Sequence, residues 1–124
     1  MILLNVHPYT VGHLQVVPQA HLTTFRELLG QRLMGQVNDA IEKCMVLLSK
    51  AYSPDGFNIG LNLGRAAGNS IDHLHYHIVP RYASREVHGF METCADSKVF
   101  GEDIDEVLAK LKECARGILA EGGG

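Results

Sequence analysis

Residues 73–81 read His73-Leu74-His75-Tyr76-His77-Ile78-Val79-Pro80-Arg81, and in residues 73–78 imidazoles alternate with apolar side chains at a strict period of two. An α-helix cannot sort such a run onto two faces, whereas a β-strand sends successive side chains to opposite sides. The pattern predicts a strand with His73, His75 and His77 on one face and Leu74, Tyr76 and Ile78 entering the core on the other. A chain that carries it must build a sheet with one packed face and one face available for chemistry. Imidazole, with an ordinary pKa of about 6.5, serves near neutrality as nucleophile, base or acid. Three imidazoles in register therefore mark a candidate site.

The flanking sequence completes an α+β layout. Residues 1–6 are apolar and read as a strand; His7-Pro8-Tyr9 breaks it, and residues 12–17 before Pro18 read as its hairpin partner. The chain thus begins inside a strand, as expected where an earlier strand is missing or supplied differently. Thr24 is placed to cap a short helix through Leu29. From Gln31 onward, Leu33, Val37, Ile41, Cys44, Leu48 and Ala51 recur every three or four residues, the signature of one long amphipathic helix. Ser53-Pro54-Asp55-Gly56 ends it with turn chemistry, and residues 57–62 read as the next strand. Residues 63–72, rich in glycine and alanine, read as a loop. Residues 82–100 read mostly as loop, with a short strand near Lys98-Val99. Asp103 is placed to cap a last helix in which Val107, Leu108, Leu111, Ala115, Ile118 and Leu119 form one face. Residues 1–121 are expected to form one domain, and 122–124 a flexible glycine tail.

Charge and cysteine usage narrow the function classes. The net charge is −3 and no Lys/Arg cluster is present, which argues against a nucleic-acid backbone as partner, because such binding rests on a basic stripe. A small phosphorylated ligand stays open, since backbone N–H groups, histidines and amides can hold phosphate without much positive charge. Cys44, Cys94 and Cys114 are odd in number and lack C-x-x-C spacing, so they read as reduced thiols packed as small hydrophobes. The apolar runs are far too short for a membrane span and no leader pattern is visible. A cytoplasmic protein with no membrane partner is expected.

The histidine run has three readings. Alternate histidines can share a zinc ion, but His73 and His77 would stand roughly 13 Å apart along a strand at about 3.3 Å per residue. A metal would then need a pair plus His13, Asp72 or Cys94, and no spacing recommends any of these. A half-exposed strand that merely happens to carry histidines is the second reading. In the third, one histidine attacks phosphorus while the others donate protons and orient. This last reading also accounts for the preceding loop, where Gly64-Arg65-Ala66-Ala67-Gly68-Asn69-Ser70 offers backbone N–H groups, a hydroxyl and amides suited to phosphoryl oxygens.

His73-Leu74-His75-Tyr76-His77-Ile78-Val79 resembles the His-φ-His-φ-His-φ-φ signature of the histidine triad (HIT) superfamily of nucleotide hydrolases and transferases. Residues 5–21, with Gly12-His13 and Val17-Pro18, and residues 56–81, with Gly56-Phe57-Asn58-Ile59-Gly60-Leu61-Asn62-Leu63-Gly64, resemble it as well, so the likeness covers roughly residues 5–100. It implies an antiparallel sheet of about five strands with a long helix and a C-terminal helix, in a homodimer that needs no metal or cofactor. It implies His75 as nucleophile toward an α-phosphorus, forming a nucleotidyl-histidine that water or phosphate resolves. His77 would contact the phosphate and assist the leaving group, with His73 and His13 completing the network.

The same resemblance places Asn62 and Ser70 on phosphate or bridging oxygens and Asn5 at the ribose hydroxyls; Gly68 and Asn69 belong to the phosphate-facing loop. His7, His21 and His88 are read as surface residues. Asn-Leu-Gly-x-Ala-Ala-Gly and the Pro-Arg after the triad look closer to the diadenosine-polyphosphate hydrolase and phosphorylase branch, although residues 82–90 depart from the usual pattern. The expected activity is cleavage of a dinucleoside polyphosphate or related nucleotide conjugate at the α-phosphate. A nucleoside phosphoramidase and a non-catalytic nucleotide-binding module are the alternatives.

Overall fold

The computed structural model describes residues 2–4, 10–67, 73–83 and 104–121. Strands β1 (Ile2–Leu4), β2 (Leu14–Val16), β3 (Gly56–Leu61) and β4 (Tyr76–Arg81) form one antiparallel sheet in the order β1-β2-β4-β3. Helices α1 (Phe25–Gly30) and α2 (Met34–Tyr52) lie between β2 and β3 in the chain, and α3 (Ile104–Glu121) follows β4. The architecture is the α+β arrangement expected, with four strands among the described residues. The strand predicted near residues 98–99 falls outside them.

β4 is paired on both sides, with Ile78 opposite Leu14 of β2 and Ile59 of β3. Leu14, Val16 and Ile78 share one face of the sheet and pack in a core cluster with Val37, Ile41, Cys44 and Leu48 of α2. Those four α2 residues follow the three-and-four spacing of the sequence, so one stripe of the helix is buried and the rest faces outward. Burying such a side chain is worth about 1.5–3 kcal/mol, and this packing, more than helix propensity, holds α2 in place. Val107 and Leu111 bring α3 into the same cluster, and Lys110 sets its ammonium 4.4 Å from the centre of the Tyr52 ring. The opposite face of β4, carrying His77, is turned away from α2.

The ends of the elements follow their local chemistry. The Thr24 hydroxyl accepts from the Glu27 N–H at 3.2 Å while the Glu27 carboxylate accepts from the Thr23 N–H and both threonine hydroxyls, a reciprocal cap at the start of α1. These hydrogen bonds hold the Glu27 carboxyl below its ordinary range. The long helix begins at Met34, three residues later than the periodicity from Gln31 suggests. Arg32 takes a left-handed φ of 56° that closes α1, and Leu33 becomes the residue before the first helical turn.

Two further expectations need correction. The predicted strand over the whole triad is confined to Tyr76–Arg81, and residues 73–75 precede it. The backbone there pairs elsewhere: the Leu74 N–H donates to the Leu22 carbonyl at 2.7 Å. Leu74 and Ile78 are nonetheless buried and Tyr76 packs partly against the core, as the alternation required. On α3, Leu108 is 38% exposed although its spacing placed it on the packed face; Val107 and Leu111 alone among the described α3 side chains are buried there.

Cys44 is fully buried and its burial pushes the thiol up to about 12, so it behaves as a small hydrophobe. Cys114 is half-buried, and Cys94 lies outside the described residues.

Candidate active site

β4 delivers His77 in register. It stands opposite Gln15 of β2 and Gly60 of β3, so no β3 side chain stands beside its ring. Its Nδ1 lies 2.8 Å from Nε2 of His13, and the two ring centres are 5.0 Å apart. His13 immediately precedes β2, is fully buried, and has its pKa lowered to about 3, chiefly by burial and then by the charges of His77, Arg81 and His75. It is therefore neutral near pH 7, and its contact with His77 is an N–H···N bond in which one ring donates and the other accepts. When His13 donates, neutral His77 carries its own proton on Nε2, the nitrogen on the other side of the ring.

His75 sits beside this pair, its ring centre 4.9 Å from that of His77 in an edge-on arrangement. Its Nδ1 donates to the backbone carbonyl of His73 at 2.9 Å. A carbonyl only accepts, so the proton is fixed on Nδ1 and the lone pair of the neutral ring lies on Nε2. His73 is anchored in turn: its Nε2 donates to the Pro18 carbonyl at 2.9 Å, just past the end of β2. The three histidines are thus assembled by a bend tied to residues 18–22 followed by one strand residue.

The structure brings the rings of His13, His75 and His77 together, and His73 joins them through its backbone carbonyl while its ring is held by Pro18. Continuing the β3–β4 register one residue beyond Leu61 and Tyr76 puts half-buried Asn62 level with His75. Gly68, Asn69, Ser70 and Asn5 lie outside the described residues, as do His7 and His88. His21 is exposed, as expected, yet its ring stands edge-on to His73 with centres 5.0 Å apart. Among the described residues no three His, Cys, Asp or Glu side chains converge as a metal site.

Sequence reasoning missed a shell of residues around this cluster. The Thr10 hydroxyl donates to the Pro80 carbonyl at 2.7 Å, and the Tyr82 hydroxyl donates to the Val11 carbonyl at 2.9 Å. Arg81 donates through Nε to Asn58 Oδ1 at 2.6 Å across the β3–β4 pair. The Pro-Arg pair after the triad was the only signal pointing to this end of β4.

Comparison with known proteins agrees with this geometry. The HIT domain family matches residues 1–84 of the chain. An uncharacterized HIT-like protein of Methanocaldococcus jannaschii is 36% identical over 109 residues, spanning 88% of this chain and 79% of that protein. The AP-4-A phosphorylase of Mycobacterium tuberculosis is 39% identical over 80 residues, spanning 64% of this chain but only 40% of that enzyme. Among solved structures, a hypothetical histidine triad nucleotide-binding protein from Sulfolobus tokodaii superposes with a TM-score of 0.72 at 21% identity, over 94% of this chain and 78% of that one. The chain belongs to the HIT family. No helix among the described residues is long and apolar enough to cross a membrane.

Proposed function

We propose that this protein is a nucleotide hydrolase or nucleotidyl transferase that cleaves a dinucleoside polyphosphate, or a related nucleotide conjugate, at its α-phosphate through His75. The observation that carries the reading is the Nδ1–H of His75 bound to the His73 carbonyl at 2.9 Å. It leaves Nε2 as the nucleophilic nitrogen, and it keeps an acceptor on the far side of the ring when attack makes that ring cationic.

In this mechanism Nε2 of His75 attacks the α-phosphorus, the N–P bond forms and the bond to the bridging oxygen breaks. The departing oxygen takes a proton from Nε2 of His77 in its imidazolium form, which is left neutral, while neutral His13 accepts from Nδ1–H of that ring across the 2.8 Å contact. Water or inorganic phosphate then displaces the histidine, with His77 as base for water, and releases the nucleotide. Asn62, Ser70, Asn69 and Gly68 are assigned to the phosphoryl oxygens and Asn5 to the ribose; His73 orients the loop. The imidazole is itself the nucleophile, so the reaction needs no metal or organic cofactor, and activity is expected to survive exhaustive chelation.

The partner is a small nucleotide and not a nucleic acid or a membrane, and we assign the protein to the cytoplasm as a homodimer. Light scattering at micromolar concentration tests the dimer, and a monomeric mass counts against it. The activity is tested by product analysis of the chelated protein with diadenosine tetraphosphate. AMP and ATP identify a hydrolase, and phosphate-dependent ADP and ATP identify a phosphorylase. Turnover of adenosine phosphoramidate in preference to the tetraphosphate selects the phosphoramidase instead, and tight nucleotide binding without any product overturns the enzymatic reading.

A further inference from the structure

We propose that Thr10 and Tyr82 are positioning residues of the active site, whose hydroxyls clamp the turn bearing His13 onto the end of β4 and thereby set the contact between His13 and His77. This rests on the roles just given to His13 and His77 and adds the residues that hold them in register.

Residues 10–13 form a tight turn closed by the His13 N–H on the Thr10 carbonyl at 3.3 Å. Gly12 occupies its third position with a φ of 90°, the requirement of a type II turn. A Cβ at Gly12 would also stand 2.9 Å from Leu48 Cδ2, so the turn rests directly on α2 with no room to rise. That packing fixes the height of the turn over the helix. The same added atom would stand 3.5 Å from Pro80 Cγ, so the turn also lies against β4, and the two hydroxyls tie it there.

Why β4 offers acceptors there follows from the ladder. The Arg81 carbonyl accepts from the Asp55 N–H at 2.8 Å on the β3 side. Carbonyls alternate along a strand, so the Pro80 carbonyl faces the β2 side. β2 has already ended: its first residue, Leu14, pairs with Ile78. Proline at position 80 has no N–H to leave unpaired, which suits an edge without a partner. Its carbonyl would still be orphaned in a buried place, and the Thr10 hydroxyl, only 3% exposed, satisfies it at 2.7 Å. Two residues further on, Tyr82 reaches back to the Val11 carbonyl at 2.9 Å. Consecutive residues of the turn are therefore tied to the strand that carries His77, and His13 follows at the end of that same turn. An N–H···N contact of 2.8 Å between rigid rings tolerates little displacement.

The test compares Thr10→Val, which keeps the shape and removes the donor, with Thr10→Ser, which restores it, and with Tyr82→Phe. Turnover of diadenosine tetraphosphate and of adenosine phosphoramidate is measured together with the imidazole nitrogen resonances of His13 and His77. Thr10→Val is expected to lower kcat by about 10–100-fold with KM nearly unchanged, in keeping with the cost of a 1 Å misplacement, and Thr10→Ser to recover most of it. Tyr82→Phe is expected to act in the same direction and more weakly. In both weakened variants the nitrogen resonances lose the signature of a proton shared between His13 and His77.

A Val107→Ala variant, which loosens the packing of α3 and removes neither hydroxyl, is the control. If it lowers kcat as much as Thr10→Val at an equal loss of Tm, the positioning role is wrong. Wild-type kcat and unaltered nitrogen resonances in Thr10→Val, alongside a slow His13→Ala variant, also overturn the clamp while leaving the proposed function intact. Should the wild type turn over neither substrate, the functional reading falls and the nitrogen resonances alone decide the clamp. Should Thr10→Val fail to fold, Tyr82→Phe carries the same comparison.

Discussion

The four histidines fall into two pairs with different environments. His13 and His77 are buried, at 0% and 5% exposure, and bonded to each other, whereas His73 and His75 are half-buried and bonded to backbone carbonyls. The first pair is hydrogen-bonded ring to ring, and burial holds His13 neutral. Carbonyl partners do something else for the second pair: they fix which nitrogen carries the proton and leave the lone pair of the neutral ring on the other. Identical side chains thus acquire different chemistry from what they touch. In the proposed mechanism His75 of the half-buried pair meets phosphorus while His73 orients the loop, and the buried pair manages the proton.

The comparison is broken most severely at the nucleophile. His75→Ala should lower turnover by about 10⁴-fold or more, as removal of a nucleophile generally does, with substrate affinity measured by calorimetry largely kept. A His75→Ala enzyme near the wild-type rate would move the chemistry to another residue. On the buried side, His77→Ala should cost about 10²–10⁴-fold, the usual range for acid–base assistance. That loss should shrink on a conjugate with a good leaving group, such as a nitrophenyl ester of AMP, because such a group departs without a proton. An equal loss on good and poor leaving groups would show that His77 does not protonate the departing oxygen.

A third prediction concerns stability. His13 is neutral when folded, with its pKa lowered from 6.5 to about 3 by burial and the neighbouring charges, while the unfolded chain takes up a proton at the ordinary value. Between those pH values the unfolded state binds more protons, so stability falls as pH drops from about 6.5 toward 3. Urea midpoints across this window should therefore decline on acidification, and more shallowly in His13→Gln. An identical slope in the two proteins would contradict the neutral, buried assignment of His13. The smallest effect is at Cys44: its buried thiol should resist alkylation in the native protein near pH 8 and react fully in denaturant, as peptide mapping would reveal.

Much of this was legible in the sequence, and the gaps have physical reasons. The stripe Val37, Ile41, Cys44 and Leu48 identified α2 because the side chains of a helix on a sheet must repeat every three or four residues. The period of two in residues 73–78 found β4 and its buried face. It overreached at His73 and His75, because the same alternation can be met by a bend in which the Leu74 N–H and the His73 ring donate to the carbonyls of Leu22 and Pro18. The resemblance singled out His13, while its neighbours Thr10 and Tyr82 went unseen. Their hydrogen bonds cross about 70 residues of chain, and no local pattern encodes a contact at that separation.

The central claim is that His75 becomes covalently nucleotidylated during turnover. The most direct measurement is mass spectrometry of the protein quenched at alkaline pH, where a phosphoramidate survives, during steady turnover of diadenosine tetraphosphate. The account predicts an adenylyl group on the peptide containing His75, which disappears when substrate is exhausted and never forms in His75→Ala. Continued turnover without any adduct, or an adduct mapped to a different residue, would contradict it.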